Sequence, residues 1–131
     1  MKYMIVEPDE QNSLELKKIL DGYKILDFGG SFTTFEAAKN WIRERPPDIA
    51  FIRMGKAELN AYELIRESRE QNPFSKVIFL SSQREYAVEA FECGVDGFLM
   101  IPFNKKKIGQ LLQQSIGKEE INHYKHEKTG G

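Results

Sequence analysis

Residues 76–103 read KVIFLSSQREYAVEAFECGVDGFLMIPF, and the order of chemistry along that stretch decides the fold. Val77 to Leu80 is a short apolar run that predicts a buried strand. Two serines, Ser81 and Ser82, end it. From about Arg84 to Glu92 the spacing changes to that of a helix, with Tyr86, Ala87, Ala90 and Phe91 set for an inward face and Gly94 as a left-handed stop. Gly97 to Met100 is apolar again, and Pro102 breaks it. Strand, helix and strand in so short a span require a parallel pair joined by a helical crossover, which is right-handed in nearly every known case.

The same alternation runs outward in both directions. Tyr3 to Val6 predicts a strand, and Leu16, Ile19 and Leu20 mark one face of a helix from about Asp9 to Asp21, stopped by Gly22. A weaker strand is expected over about Lys24 to Phe28, with Gly29-Gly30 as the turn after it. Thr33 followed by Glu36 is a capping-box pattern opening a helix that carries Phe35, Ala38, Trp41 and Ile42 on one side and ends before Pro46-Pro47. Ile49 to Ile52 is apolar throughout, as in a parallel strand covered on both faces. A helix from about Leu59 to Gln71 follows, with Leu59, Tyr62 and Ile65 inward. Asn104 can cap a last helix that turns Ile108, Leu111 and Leu112 to the core. The expectation is an α/β, flavodoxin-like (βα)5 fold: a doubly wound parallel sheet of five strands, order 2-1-3-4-5, with helices on both faces.

Composition agrees with one folded domain. Of the 131 residues, 40% are hydrophobic and 30% charged, the balance of a globular chain with a single core. We expect the domain to occupy residues 1–117, with 118–131 a polar tail or linker. A formal net charge of -1 gives no electrostatic case for direct nucleic-acid binding. No apolar run reaches the roughly 20 residues of a membrane span, and the opening MKYMIVE is too quickly charged for a secretory signal. The single cysteine, Cys93, forbids an internal disulfide and fits a small packing residue in a reducing, cytoplasmic setting.

Doubly wound sheets place function outside the carboxyl ends of their strands. Those ends are Glu7-Pro8-Asp9, Arg53-Met54, Ser81-Ser82 and Ile101-Pro102-Phe103. A nucleotide site would need a glycine-rich loop after the first strand, and Glu7 to Gln11 contains no glycine. No nucleophile–base pair or metal cluster stands at these positions either. The sequence therefore predicts a protein that is not an enzyme.

At these same positions the chain resembles the receiver domain of bacterial two-component response regulators, over about Lys2 to Gln114. The resemblance is carried by PDIAFIR, residues 47–53, and by residues 76–103, the latter most similar to receivers of LytTR-type transcriptional regulators. It implies a site in which two acidic residues after the first strand hold Mg²⁺ and an aspartate ending the third strand accepts a phosphoryl group. It further implies a Ser/Thr after the fourth strand and a lysine after the fifth that grip the phosphoryl oxygens. Matched position by position, Glu7 stands at the first acidic place and Pro8 at the second, with Asp9 a partial substitute. Arg53 stands at the acceptor, Ser81 keeps the hydroxyl, Ile101 replaces the lysine, and Phe98 falls at the aromatic switch position. Ile101-Pro102 matches a peptide bond that is commonly cis.

Chemistry at those residues predicts a degenerate site. A guanidinium is always protonated, so it neither attacks phosphorus nor ligates a cation. Mg²⁺ asks for about six oxygen ligands, which Glu7 and Asp9 alone do not supply, so weak or absent Mg²⁺ binding and no other cofactor or metal are expected. Arg53 is expected to pair with Glu7 or Asp9 across the pocket; a solvent-directed side chain and a grip on a small anion or metabolite remain as alternatives. Protein partners, a homodimer among them, are expected at the face formed by the fourth helix, fifth strand and fifth helix, with a DNA-binding output domain beyond the chain. Ser81 and Ser82 read as backbone-bonded strand-end serines, Lys105-Lys106-Lys107 as a solvated helix start, and His123 with His126 as solvated side chains rather than a metal pair.

Overall fold

The computed structural model describes residues 1–117. Five parallel strands, β1 (Lys2–Val6), β2 (Asp27–Phe32), β3 (Ile49–Arg53), β4 (Lys76–Ser81) and β5 (Gly97–Met100), form one sheet in the order β2-β1-β3-β4-β5. Helices α1 (Glu10–Leu20), α2 (Phe35–Glu44), α3 (Ala61–Gln71), α4 (Tyr86–Glu92) and α5 (Lys105–Ile116) connect and cover it, with a 3₁₀ turn at Ala57–Leu59 before α3. This is the flavodoxin-like arrangement that the strand–helix alternation predicts.

Two cores result, one on each face of the sheet. Met4, Val6, Ala50, Ile52, Val77 and Phe79 turn one way, towards α2, α3 and α4. Tyr3, Ile5, Phe51, Ile78, Leu80 and Leu99 turn the other way, towards α1 and α5. Alternation along each strand divides the apolar runs between the faces, which is why β3 is buried at every position. Lys39 with Glu63 and Arg43 with Glu67 tie α2 to α3 across the first core.

Several boundaries differ from the sequence reading. The second strand is Asp27–Phe32 rather than Lys24 to Phe28, so Gly29 and Gly30 lie inside it and do not form a turn. A Cβ on Gly29 would stand 2.7 Å from the Trp41 ring and 2.9 Å from the Tyr3 carbonyl oxygen. The glycine is there because α2 presses its tryptophan onto the strand. The cap of α2 is Thr34, one residue later than expected, and its hydroxyl accepts from the Ala37 amide at 3.3 Å. Leu59 belongs to the 3₁₀ turn, α3 starts at Ala61, and α4 starts at Tyr86 rather than Arg84. Tyr62 and Phe91, read as inward, are 42% and 55% exposed. Helical spacing fixes which residues share a face but not how far the helix is rotated. Gly94 does adopt a positive φ of 81°, and Ile101-Pro102 is cis, both as expected.

Tyr3 is fully buried, and its hydroxyl lies 3.5 Å from Asp21 Oδ1. Burial and the neighbouring carboxylate push its pKa well above the usual phenol value. The unfolded phenol ionises from about pH 10, while the folded one keeps its proton. Above that pH the unfolded state binds fewer protons, so stability falls as pH rises. The Tyr3 contribution is intact below about pH 10 and is lost as the pH climbs towards the folded value. Denaturant midpoints measured from pH 9 upward should therefore decline less steeply in Tyr3→Phe than in wild type, and parallel slopes would refute the assignment.

Candidate functional site

The register of the sheet brings Glu7 and Arg53 together. Val6 pairs with Ile52 across β1 and β3, so Glu7 and Arg53 are the next residue on each strand and emerge on the same side. Arg53 Nη1 donates to Glu7 Oε1 at 2.5 Å. Glu7 is completely buried and the Arg53 side chain is only 10% exposed, so this is an interior ion pair. Asn12, one turn into α1, donates its side-chain amide to the same Oε1 at 2.8 Å. Arg53 Nη2 reaches Ser82 Oγ at 3.5 Å, a weak contact. Glu7 Oε2 is buried with no hydrogen-bond partner.

Asp9 does not enter this pair. Its carboxylate caps α1, accepting from the Gln11 amide at 2.9 Å and the Asn12 amide at 3.3 Å. The expectation that Asp9 substitutes in the acidic pair is therefore corrected: satisfying the open end of a helix holds the side chain elsewhere. The two roles meet in Asn12, whose backbone is capped by Asp9 while its side chain steers Glu7. Sequence reasoning missed Asn12. A polar residue five positions after a strand-end acid, across a helix start, is the only signal that could have found it.

Ser81 is bonded locally: its hydroxyl accepts from the Gln83 amide at 3.0 Å and donates to the Gln83 carbonyl at 3.2 Å. It faces its own turn, and of the two serines Ser82 is the one that meets Arg53. Ile101 packs against the second core with Phe103 and carries no charge to the strand ends. Phe98 is half-buried, packing on the first core while also lining a groove of about 450 Å³ between α4 and α5. Phe91 and Met100 share that groove with Lys107 and Gln110. Val88, on the same helix as Phe91, is 69% exposed. Cys93, part-exposed at the end of α4, has its thiol pKa pushed up by burial and by Glu89 and Glu92. His123 and His126 lie outside the described residues.

The family model for the response regulator receiver domain matches residues 3–113. This chain belongs to that family. Receiver-containing relatives include the sensory transduction protein LytT of Bacillus cereus, 24% identical over 99% of this chain and 53% of its own length. The positive alginate biosynthesis regulatory protein of Pseudomonas aeruginosa is 25% identical over 88% of the chain and 47% of its length. The chain thus spans about half the length of these curated relatives. Among solved structures, the response regulatory domain of MrkE from Klebsiella pneumoniae superposes with a TM-score of 0.78 at 23% identity, covering 92% of this chain and 98% of that one. A response regulator receiver domain protein from Methanospirillum hungatei gives 0.74 at 18% identity over 91% and 95%. These likenesses show the receiver fold. No helix among the described residues is long and apolar enough to cross a membrane.

Proposed function

We propose that this receiver signals without aspartyl phosphorylation and acts as a protein–protein contact module. The observation that carries the reading is the buried Arg53–Glu7 pair, in which a guanidinium takes the carboxylate that a metal would otherwise use. Mg²⁺ does not fit this donor set: Glu7 Oε1 is held by Arg53 and Asn12, and Asp9 caps a helix. The one free oxygen, Glu7 Oε2, falls far short of the roughly six that Mg²⁺ takes and lies beside a fixed positive charge. Arg53 itself has no nucleophilic oxygen, and Ile101 offers no cation to a phosphoryl group. A charge-assisted bond between the ends of β1 and β3 then holds the loops in one arrangement. The output surface is the α4–β5–α5 face, where Phe98, Phe91 and Val88 leave apolar area uncovered. Its occupant is a partner protein or a second copy of the chain. By analogy with the longer relatives, residues 1–117 form the receiver of a cytoplasmic regulator whose transcriptional output domain lies further on. The expected linker, 118–131, lies outside the described residues.

Incubation with acetyl phosphate, or with beryllofluoride and Mg²⁺, should leave the intact mass, melting temperature and oligomeric state unchanged. A specific Mg²⁺-dependent adduct or melting shift would overturn the proposal. A second reading, a sensor of a small anion or metabolite, draws support from the long Arg53–Ser82 contact, which leaves donor capacity on the guanidinium at the strand ends. In the same melting assay, an anion whose stabilising shift disappears in Arg53→Lys would favour that reading.

A further inference from the structure

The groove between α1 and α5 gathers positive charge that no acid answers. It encloses about 500 Å³ and is lined by Lys18, Ile19, Gly22, Tyr23, Lys105 and Lys106, without a carboxylate among them. Among the described residues, none of these three lysines takes part in an ion pair, although Lys17, Lys39, Arg43, Arg53, Arg66 and Arg69 all do. Ile19 and Tyr23, both half-buried, give the groove an apolar floor between the ammonium groups. The Tyr23 hydroxyl stands 3.0 Å from where a Cβ on Gly109 would be, so α5 leaves room for the ring to settle there.

The arrangement carries a local electrostatic penalty. Helices α1, α2 and α3 each place a glutamate in the first turn, which complements the helix dipole. The first turn of α5 holds Lys105, Lys106 and Lys107 and no acid. Positive charge at a helix start is destabilising until carboxylates from elsewhere approach it. The whole chain is slightly negative, at -1, so the three lysines do not belong to a generally basic molecule. The apolar floor of Ile19 and Tyr23 suits an amphipathic acidic segment rather than a uniformly charged polyanion, and a short segment feels mainly the groove within the screening length of about 8 Å.

We propose that this groove docks an acidic amphipathic segment of a partner protein, its carboxylates on Lys18, Lys105 and Lys106 and an apolar side chain against Ile19 and Tyr23. The site is separate from the α4–β5–α5 face and does not depend on how the Arg53 pocket works.

The test uses the full chain and a fluorescently labelled peptide of glutamate and leucine at helical spacing, with its lysine-for-glutamate counterpart as control. Wild type should bind the acidic peptide and not the basic one, with affinity falling as salt rises. Combining Lys18→Glu, Lys105→Glu and Lys106→Glu should weaken binding about tenfold or more, whereas Lys56→Glu, elsewhere on the surface, should not. The three glutamine replacements should give an intermediate loss. Lys105→Glu with Lys106→Glu, without the third change, should melt at or above the wild-type temperature, by about 3 °C, because glutamates suit a helix start better than lysines. Lys18→Glu puts an acid in the last turn of α1 and should offset part of that gain. Equal peptide binding by wild type and the reversed variant would overturn the proposal. So would displacement of the peptide by duplex DNA or phosphatidylserine vesicles acting through the same lysines, which would make the groove a general polyanion surface.

Discussion

Replacing Arg53 with alanine should lower the unfolding free energy by about 3–5 kcal/mol, a large share of the total for a domain of this size. The loss comes less from the attraction removed than from what remains. Glu7 stays fully buried with one hydrogen bond from Asn12 and an Oε2 that already lacks a partner. Removing the pair as a whole should behave differently. Glu7→Leu combined with Arg53→Met leaves no buried charge, and its stability should lie within about 1 kcal/mol of wild type or exceed it, as when interior ion pairs elsewhere are replaced by apolar residues. Urea denaturation of Glu7→Leu, Arg53→Met and the double variant beside wild type closes the cycle. An Arg53→Ala cost below about 1 kcal/mol would mean that the guanidinium is not holding the strand ends together, since that is the range of an exposed pair. Arg53→Asp should be no gentler, because it sets a second carboxylate beside Glu7. It should not restore phosphorylation while Pro8 and Ile101 remain.

Phe79→Ala should be the most damaging of the core substitutions, at about 3–5 kcal/mol. Phe79 is completely buried in the middle of β4, between β3 and β5, and meets the Tyr62 ring edge-on at 6.2 Å. Removing it opens a cavity under both α3 and α4 and loosens the strand that delivers Ser82 to Arg53. Phe74→Ala makes the matching control. That ring is 87% exposed in the loop between α3 and β4, so the same chemical change should alter stability by less than about 0.5 kcal/mol. If the two variants unfold at similar denaturant concentrations, the assignment of Phe79 to the core is wrong.

The sequence and the structure disagree where distant residues override local signals. Local sequence places β2 too early because two adjacent glycines read as a turn, whereas Gly29 is required by Trp41 from another element. Phe91 and Tyr62 have the right spacing for a buried stripe yet stand at its edge, because α4 spans only seven residues and α3 turns its tyrosine outward to bond Glu89. Asp9, expected as a partial substitute in the acidic pair, instead caps α1 with its carboxylate. By contrast Gly94 and Asn104 depend on neighbours in the chain and are legible there, while the cis Ile101-Pro102 bond follows the expectation that the receiver resemblance implies.

By itself the sequence determined the alternation of strands and helices, the sheet order, and the set of residues delivered to the strand ends. Strand-end positions follow from where apolar runs stop, and parallel strands put all those ends on one side. Tertiary structure alone decided which acid Arg53 would take. Register between β1 and β3 sets Glu7 directly beside it, while the first turn of α1 draws Asp9 away. Ion pairing in an interior is a matter of ångströms and burial, and neither is written in the order of residues. The unpaired lysines of the α1–α5 groove illustrate the same point, since Lys18 and Lys105 become neighbours only once α1 and α5 pack on the sheet.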